Sequence, residues 1–278
     1  MYRKWVDGPR TRPVLFLVHG SSFCARTGYD LAVPGRDDYS MMDHFARAGF
    51  DVWTLDHEGY GRSTVTERNS DIACGVEDLR AGMEVVRRET GVDRAMLYGA
   101  SSGALRAAAY AAAEPARVER LVLDAFVWTG EGSPTLAKRR EQLDFWRSNS
   151  RRPVDRAFFH SIFNRDKPGT SEPAVAEALA DAELALTDSV PTGTYLDMCA
   201  NLPVVDPTTI HCPVQIVRGE HDGIATEDDL LAFYRRLPTK DKHFVVLSGQ
   251  AHVGPLGLNR HRFWHVIRAF LELAPGRG

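Results

Sequence analysis

The sequence predicts an α/β protein, with a mostly parallel central sheet flanked by helices and an inserted helical cap. Three observations predict it. Short apolar runs alternate with helix-length segments, as parallel strands joined by right-handed crossovers require. The first run has no polar member, the pattern of a strand covered on both faces. The alternation then breaks between residues 126 and 207, where helical patterns continue without a convincing strand.

The elements follow in order. Val14-Leu15-Phe16-Leu17-Val18 is the first strand, and Asp51 to Leu55 the second. Between them Asp38 or Ser40 caps a helix carrying Met41, Met42, Phe45 and Ala46, which Gly49 stops. A helix from Val76 to Thr90 ends at Gly91, and Ala95 to Tyr98 is the third strand. The Ala-rich helix Ser102 to Ala113 has side chains small enough to lie close to a sheet. Leu121 to Leu123, Val214 to Val217 and Phe244 to Leu247 are the remaining strands, with helices over Thr226 to Leu237 and Asn259 to Leu273. This divides the chain into a core of residues 1–125 and 208–278 and an inserted cap of residues 126–207. The cap is rich in Trp128, Phe145, Trp146, Phe158, Phe159, Phe163, Tyr195 and Met198, and in Lys and Arg from Lys138 to Arg156.

A chain of 278 residues with 44% apolar content fills a substantial core. The formal net charge of −3 gives no overall attraction to nucleic acid or to an anionic membrane. Cys24, Cys74, Cys199 and Cys212 form no C-x-x-C pair and are expected to be free thiols in a reducing compartment. No long apolar stretch follows the charged N-terminus, so neither a signal peptide nor a membrane span is expected, and the cytoplasm is the default location.

The chemistry centres on Gly99-Ala100-Ser101-Ser102-Gly103, a G-x-S-x-G at a strand-to-helix junction. A sharp turn there pushes Ser101 out of the sheet edge and demands small neighbours. The helix N-terminus offers N–H groups and a positive dipole end to a developing oxyanion. A nucleophilic serine needs a base, and the base an orienting acid. Glu220-His221-Asp222 follows the fifth strand and His252 the sixth, so both lie at the strand edge where Ser101 sits. Asp222 and His252 are therefore the acid and base, with Asp124 and Glu220 as rival acids. His19-Gly20-Ser21-Ser22 follows the first strand and supplies the second oxyanion donor. That assigns the oxyanion hole to the N–H groups of Ser21 and Ser102, with Ser22 as the alternative for the first. His19 is expected to hold the loop, and Cys24 to be a packed residue.

These residues together resemble the α/β-hydrolase superfamily. The matching pieces are His19-Gly20, Asp56 to Ser63, Gly99 to Gly103, Asp206 to Pro213, Gly219 to Asp222, and His252. The sequence departs from the family pattern twice. About a dozen residues precede the first strand, so the family's initial hairpin is shortened or missing. Glu58 stands where Arg or Pro is expected, as a surface substitution or as a pocket residue. A serine nucleophile argues against haloalkane dehalogenases and epoxide hydrolases, which resemble this fold but use Asp there.

The expected activity is hydrolysis of a carboxylic ester or lactone of a small, apolar or aromatic substrate through an acyl-enzyme on Ser101. Carbon–carbon bond hydrolysis of diketone-like ring-fission products is the second reading. A silent ligand-binding receptor on the same fold is the third, and the complete triad argues against it. Ser22, Trp128, Trp146 and Tyr195 are candidate substrate contacts. The cap arginines are read as a solvated helix face, with recognition of a substrate carboxylate as the alternative. No cofactor and no metal are expected. The expected partner is a small molecule, with no nucleic acid or membrane, and a homodimer is left open.

Overall fold

The computed structural model describes residues 1–8 and 12–274. Its strands among those residues are β1 (Tyr2–Lys4), β2 (Val14–Val18), β3 (Asp51–Thr54), β4 (Ala95–Ala100), β5 (Val118–Asp124), β6 (Arg151–Pro153), β7 (Ser189–Pro191), β8 (Val214–Gly219) and β9 (Lys242–Leu247). Seven of them form one sheet in the order β1-β3-β2-β4-β5-β8-β9. Every pairing in it is parallel except β1 on β3. The α/β class read from the sequence is therefore the observed one. Ahead of β2, β1 pairs Arg3 opposite Trp53 and ties Arg3 to Asp51 at 2.7 Å.

The continuous apolar runs are explained by what covers them. Successive side chains of a strand point to opposite faces. Val14, Phe16 and Val18 enter one hydrophobic cluster, with Leu79, Met83, Leu105 and Phe233. Leu15 and Leu17 enter the other, with Phe45, Phe263, Trp264 and Ile267. No position of β2 faces water, so none is polar.

The helices follow the expected order. α1 (Ala25–Tyr29) is a short helical turn after β2. α2 (Met41–Arg47) starts at Ser40, whose hydroxyl accepts the Asp43 N–H at 3.0 Å. α3 (Ile72–Thr90) begins four residues earlier than its apolar pattern suggests, because Asp71 caps it by accepting the Cys74 N–H at 2.7 Å. α4 is Ser102–Ala113.

Residues 126–207 hold α5 (Pro134–Arg140), α6 (Leu143–Ser148), α7 (Arg156–Asn164), α8 (Pro173–Leu184) and α9 (Gly193–Leu196). They also contain a small antiparallel ribbon, β6 on β7, where no strand was expected. Arg151-Arg152-Pro153 carries no apolar alternation, so nothing in its composition announces a strand. Val154, Phe159, Phe163, Val175 and Leu179 pack with Leu31, Tyr39 and Leu256, which seats this segment over the loops after β2 and β9. α10 (Glu227–Arg236) and α11 (Arg260–Leu271) complete the chain. The four cysteines are free, and no helix among the described residues is long and apolar enough to cross a membrane.

Candidate active site

Ser101 lies between β4 and α4 with φ 57° and ψ −123°. A non-glycine residue holds a positive φ only when its surroundings over-determine it. Here the surroundings are two glycines. A Cβ on Gly99 would come within 2.7 Å of Ala104 Cα, and one on Gly103 within 2.6 Å of the His19 carbonyl carbon. Only hydrogen fits at both positions, so the turn can be sharp enough to expose Ser101 Oγ.

His252 and Asp222 meet Ser101 at the same edge. His252 Nε2 is 3.1 Å from Ser101 Oγ, and His252 Nδ1 is 2.8 Å from Asp222 Oδ1. Asp222 is buried, which opposes its charge. The His252 imidazole and the Ile224 N–H, 3.0 Å from Oδ1, outweigh burial and hold its pKa below the usual carboxylate range. Neither rival acid contacts His252. Asp124 is fully buried and accepts the Tyr98 hydroxyl at 2.7 Å, and burial pushes its pKa well up. Glu220 accepts the Ser248 hydroxyl and the Gly249 N–H, stapling its own loop.

The loop after β2 is held from within. His19 is buried, and its desolvation and the Arg106 guanidinium favour the neutral ring. Neutral Nε2 accepts the His57 N–H at 3.0 Å, which leaves Nδ1–H to donate to the Gly20 carbonyl at 2.7 Å. The Ser21 N–H is not free: it donates to Ser102 Oγ at 2.8 Å. An oxyanion can use that N–H only if the Ser102 hydroxyl turns away. Glu58 accepts from Thr66 and Arg68 at the surface.

A cavity of about 50 Å³ adjoins Ser101 and His252, with Phe23, Ile162, Val253, Pro255 and Leu256 among its walls. Beyond it opens a groove of about 880 Å³. Of the candidate substrate contacts, Ser22 lines the cavity, and Trp146 and Tyr195 line the groove. Trp128 lines neither. It is 7% exposed, donates from Nε1 to the Val205 carbonyl at 3.1 Å and packs edge-on to Phe233. It belongs to the core beneath α10, so its expected substrate contact is corrected. Arg139, Arg165 and Asp166 line the groove and were not singled out as site residues from the sequence. Asp166, Asp222 and His252 place ligand-type atoms within 4.8 Å of one another. A cation there would compete with His252, whose two nitrogens are both engaged.

A model of the Hydrolase_4 family, described as "Serine aminopeptidase, S33", matches residues 35–253. The chain belongs to this family. It is a hydrolase of the α/β-hydrolase superfamily, and the matched span contains Ser101, Asp222 and His252. It is similar to the "Bifunctional esterase/perhydrolase DCH" of Acinetobacter calcoaceticus, with 28% identity over 239 residues that cover 80% of this chain and 78% of the relative. Its fold matches a thermophilic esterase from Thermogutta terrifontis with a TM-score of 0.72 and 21% identity, covering 97% of this chain and 91% of the other. It also matches the 2-hydroxy-6-oxo-6-phenylhexa-2,4-dienoate hydrolase of Rhodococcus sp. strain RHA1, with a TM-score of 0.69 and 19% identity, over 95% and 92% of the two chains. The hydrolase therefore shares its architecture with both.

Proposed function

We propose that this hydrolase cleaves a carboxylic ester or lactone of a small substrate through an acyl-enzyme on Ser101. The observation that carries this is the continuous chain from Ser101 Oγ to His252 to Asp222 at 3.1 and 2.8 Å. His252 Nε2 takes the hydroxyl proton as Oγ bonds to the carbonyl carbon. The Ser21 and Ser102 N–H groups hold the oxyanion, with the Ser102 hydroxyl rotated off Ser21. His252 returns the proton to the leaving oxygen, and water repeats the sequence to free the acid. Asp222 keeps Nδ1 protonated and stabilises the imidazolium. The apolar walls beside Ser101 favour a short apolar group on one side of the scissile bond. Residues 126–207 act as a cap over a core of 1–125 and 208–278, excluding water from the cavity.

The test is hydrolysis of a panel of nitrophenyl esters by wild type and Ser101→Ala. The variant should lose roughly a thousandfold or more in kcat. An unaffected rate would overturn the assignment. A strong preference for a vinylogous diketo acid over every ester would replace ester cleavage by carbon–carbon cleavage.

A further inference from the structure

Three guanidiniums from three separate elements converge beside the cavity. Arg139 comes from α5, Arg152 from β6, and Arg165 from the end of α7. The Arg139 and Arg152 guanidiniums lie 4.0 and 4.4 Å from the centroid of the same Tyr195 ring. Among the described residues, no carboxylate pairs with either. Arg139 Nη1 and Arg152 Nε are buried without a hydrogen-bond partner. The contacts of Arg152 are one hydrogen bond to Ser22 Oγ at 2.9 Å and stacking on Phe158 and Tyr195. Arg165 meets Asp166 at 3.5 Å. The groove thus carries Lys138, Arg139, Arg152 and Arg165 against the single carboxylate Asp166.

Such an arrangement is costly without a counter-charge. Buried N–H donors without acceptors lose their hydration, and like charges gathered around one ring repel. Tyr195 reports the field. Burial alone would raise its phenol, but Arg139 and Arg152 outweigh burial and draw its pKa down to about 7. An anion placed against the groove-facing sides of these guanidiniums would relieve the repulsion, and the fork of a guanidinium matches a carboxylate in shape. The location is also specific. Arg139 and Arg165 line both the groove and the cavity that holds Ser101 and His252.

We infer that the substrate carries a carboxylate, held in the groove by Arg139, Arg152 and Arg165 while its scissile carbonyl lies on Ser101. This rests on the serine-hydrolase function proposed above and names its substrate class. For Arg139 and Arg152 it takes the alternative reading of the cap arginines, recognition of a substrate carboxylate, over a solvated helix face.

Two matched substrate pairs test it. The first is mono-4-nitrophenyl glutarate against its methyl ester, with the charge on the acyl side. The second is 4-acetoxybenzoate against methyl 4-acetoxybenzoate, with the charge on the alcohol side. In at least one pair the acid should be preferred by roughly tenfold or more in kcat/KM. That ratio should fall towards unity in Arg139→Gln and Arg152→Gln. Reading the ratio within each variant cancels any loss of folded protein or of Ser101 reactivity. If the glutamine variants do not fold, wild-type protein decides: glutarate should inhibit cleavage of a neutral ester competitively, and glutaramide should not. Equal turnover within both pairs, a preference that survives both substitutions, or equal inhibition by the two compounds would overturn the inference. Neutral esters cleaved through Ser101 without an anion preference would refute this inference and leave the serine-hydrolase function standing.

Discussion

Replacing Asp222 by Asn separates the two things its carboxylate does. Oδ1 accepts both the His252 Nδ1–H and the Ile224 N–H, at 2.8 and 3.0 Å, while Oδ2 is buried without a partner. The Ile224 N–H therefore selects the amide oxygen for the Oδ1 position. His252 keeps its Nδ1–H tautomer and its orientation in Asp222→Asn. What disappears is the negative charge beside the imidazolium that forms in the transition state. Two unit charges about 4 Å apart interact by about 4 kcal/mol at an effective dielectric constant near 20. The remaining amide dipole keeps about 1 kcal/mol of that. The loss of about 3 kcal/mol corresponds to roughly a hundredfold in kcat. Asp222→Ala also loses the orienting hydrogen bond and should fall by roughly a further tenfold or more. The assay is single-turnover cleavage of a nitrophenyl ester, with thermal melts to confirm folding. The reasoning is refuted if Asp222→Asn stays within a few fold of wild type, or if Asn and Ala are equally impaired. An equal loss in Asp124→Asn would refute it too, because Asp124 faces Tyr98 and not His252.

Other outcomes follow from the same contacts. Asp124 has its folded pKa raised well above the ordinary 3.8 by burial, so the unfolded chain ionises it first as pH rises. Its stabilising contribution is complete below pH 3.8 and declines as pH rises towards the folded pKa. Asn mimics the neutral acid, so Asp124→Asn should gain on wild type by about 1.4 kcal/mol per pH unit across that window. Denaturant melts at pH 5 and pH 7 check this, and a gap constant with pH would show an ionised carboxylate. Ser102→Ala removes the hydroxyl that occupies the Ser21 N–H. Freeing a hydrogen bond of about 1 kcal/mol should raise kcat several fold; a drop of tenfold would instead make the hydroxyl a participant in the reaction.

The parts of the fold legible in the sequence are those in which local composition and tertiary role agree. β2 is apolar throughout because both faces are covered, so five residues suffice to recognise it. Ser101, Asp222 and His252 could be placed because each follows a strand at the same sheet edge. β1 and the β6–β7 ribbon were not legible, since Tyr2-Arg3-Lys4 and Arg151-Arg152-Pro153 become strands through pairing and not through composition. The inward turn of Arg139 and Arg152 was hidden for a related reason. A basic stretch reads alike whether it faces water or a groove, and the Tyr195 ring that gathers the two lies more than forty residues downstream. Trp128 and Trp146 sit in the same aromatic-rich segment. Only packing distinguishes the one beneath α10 from the one on the groove. The Ser21–Ser102 contact joins residues 81 apart and has no local signature.

The central claim is that Ser101 is an activated nucleophile, and a fluorophosphonate probe tests it most directly. Mass spectrometry of treated protein should find one adduct, on Ser101, that forms more slowly in Asp222→Asn and is absent in Ser101→Ala. An unlabelled Ser101 in folded wild-type protein, or an adduct on another residue, would contradict the account.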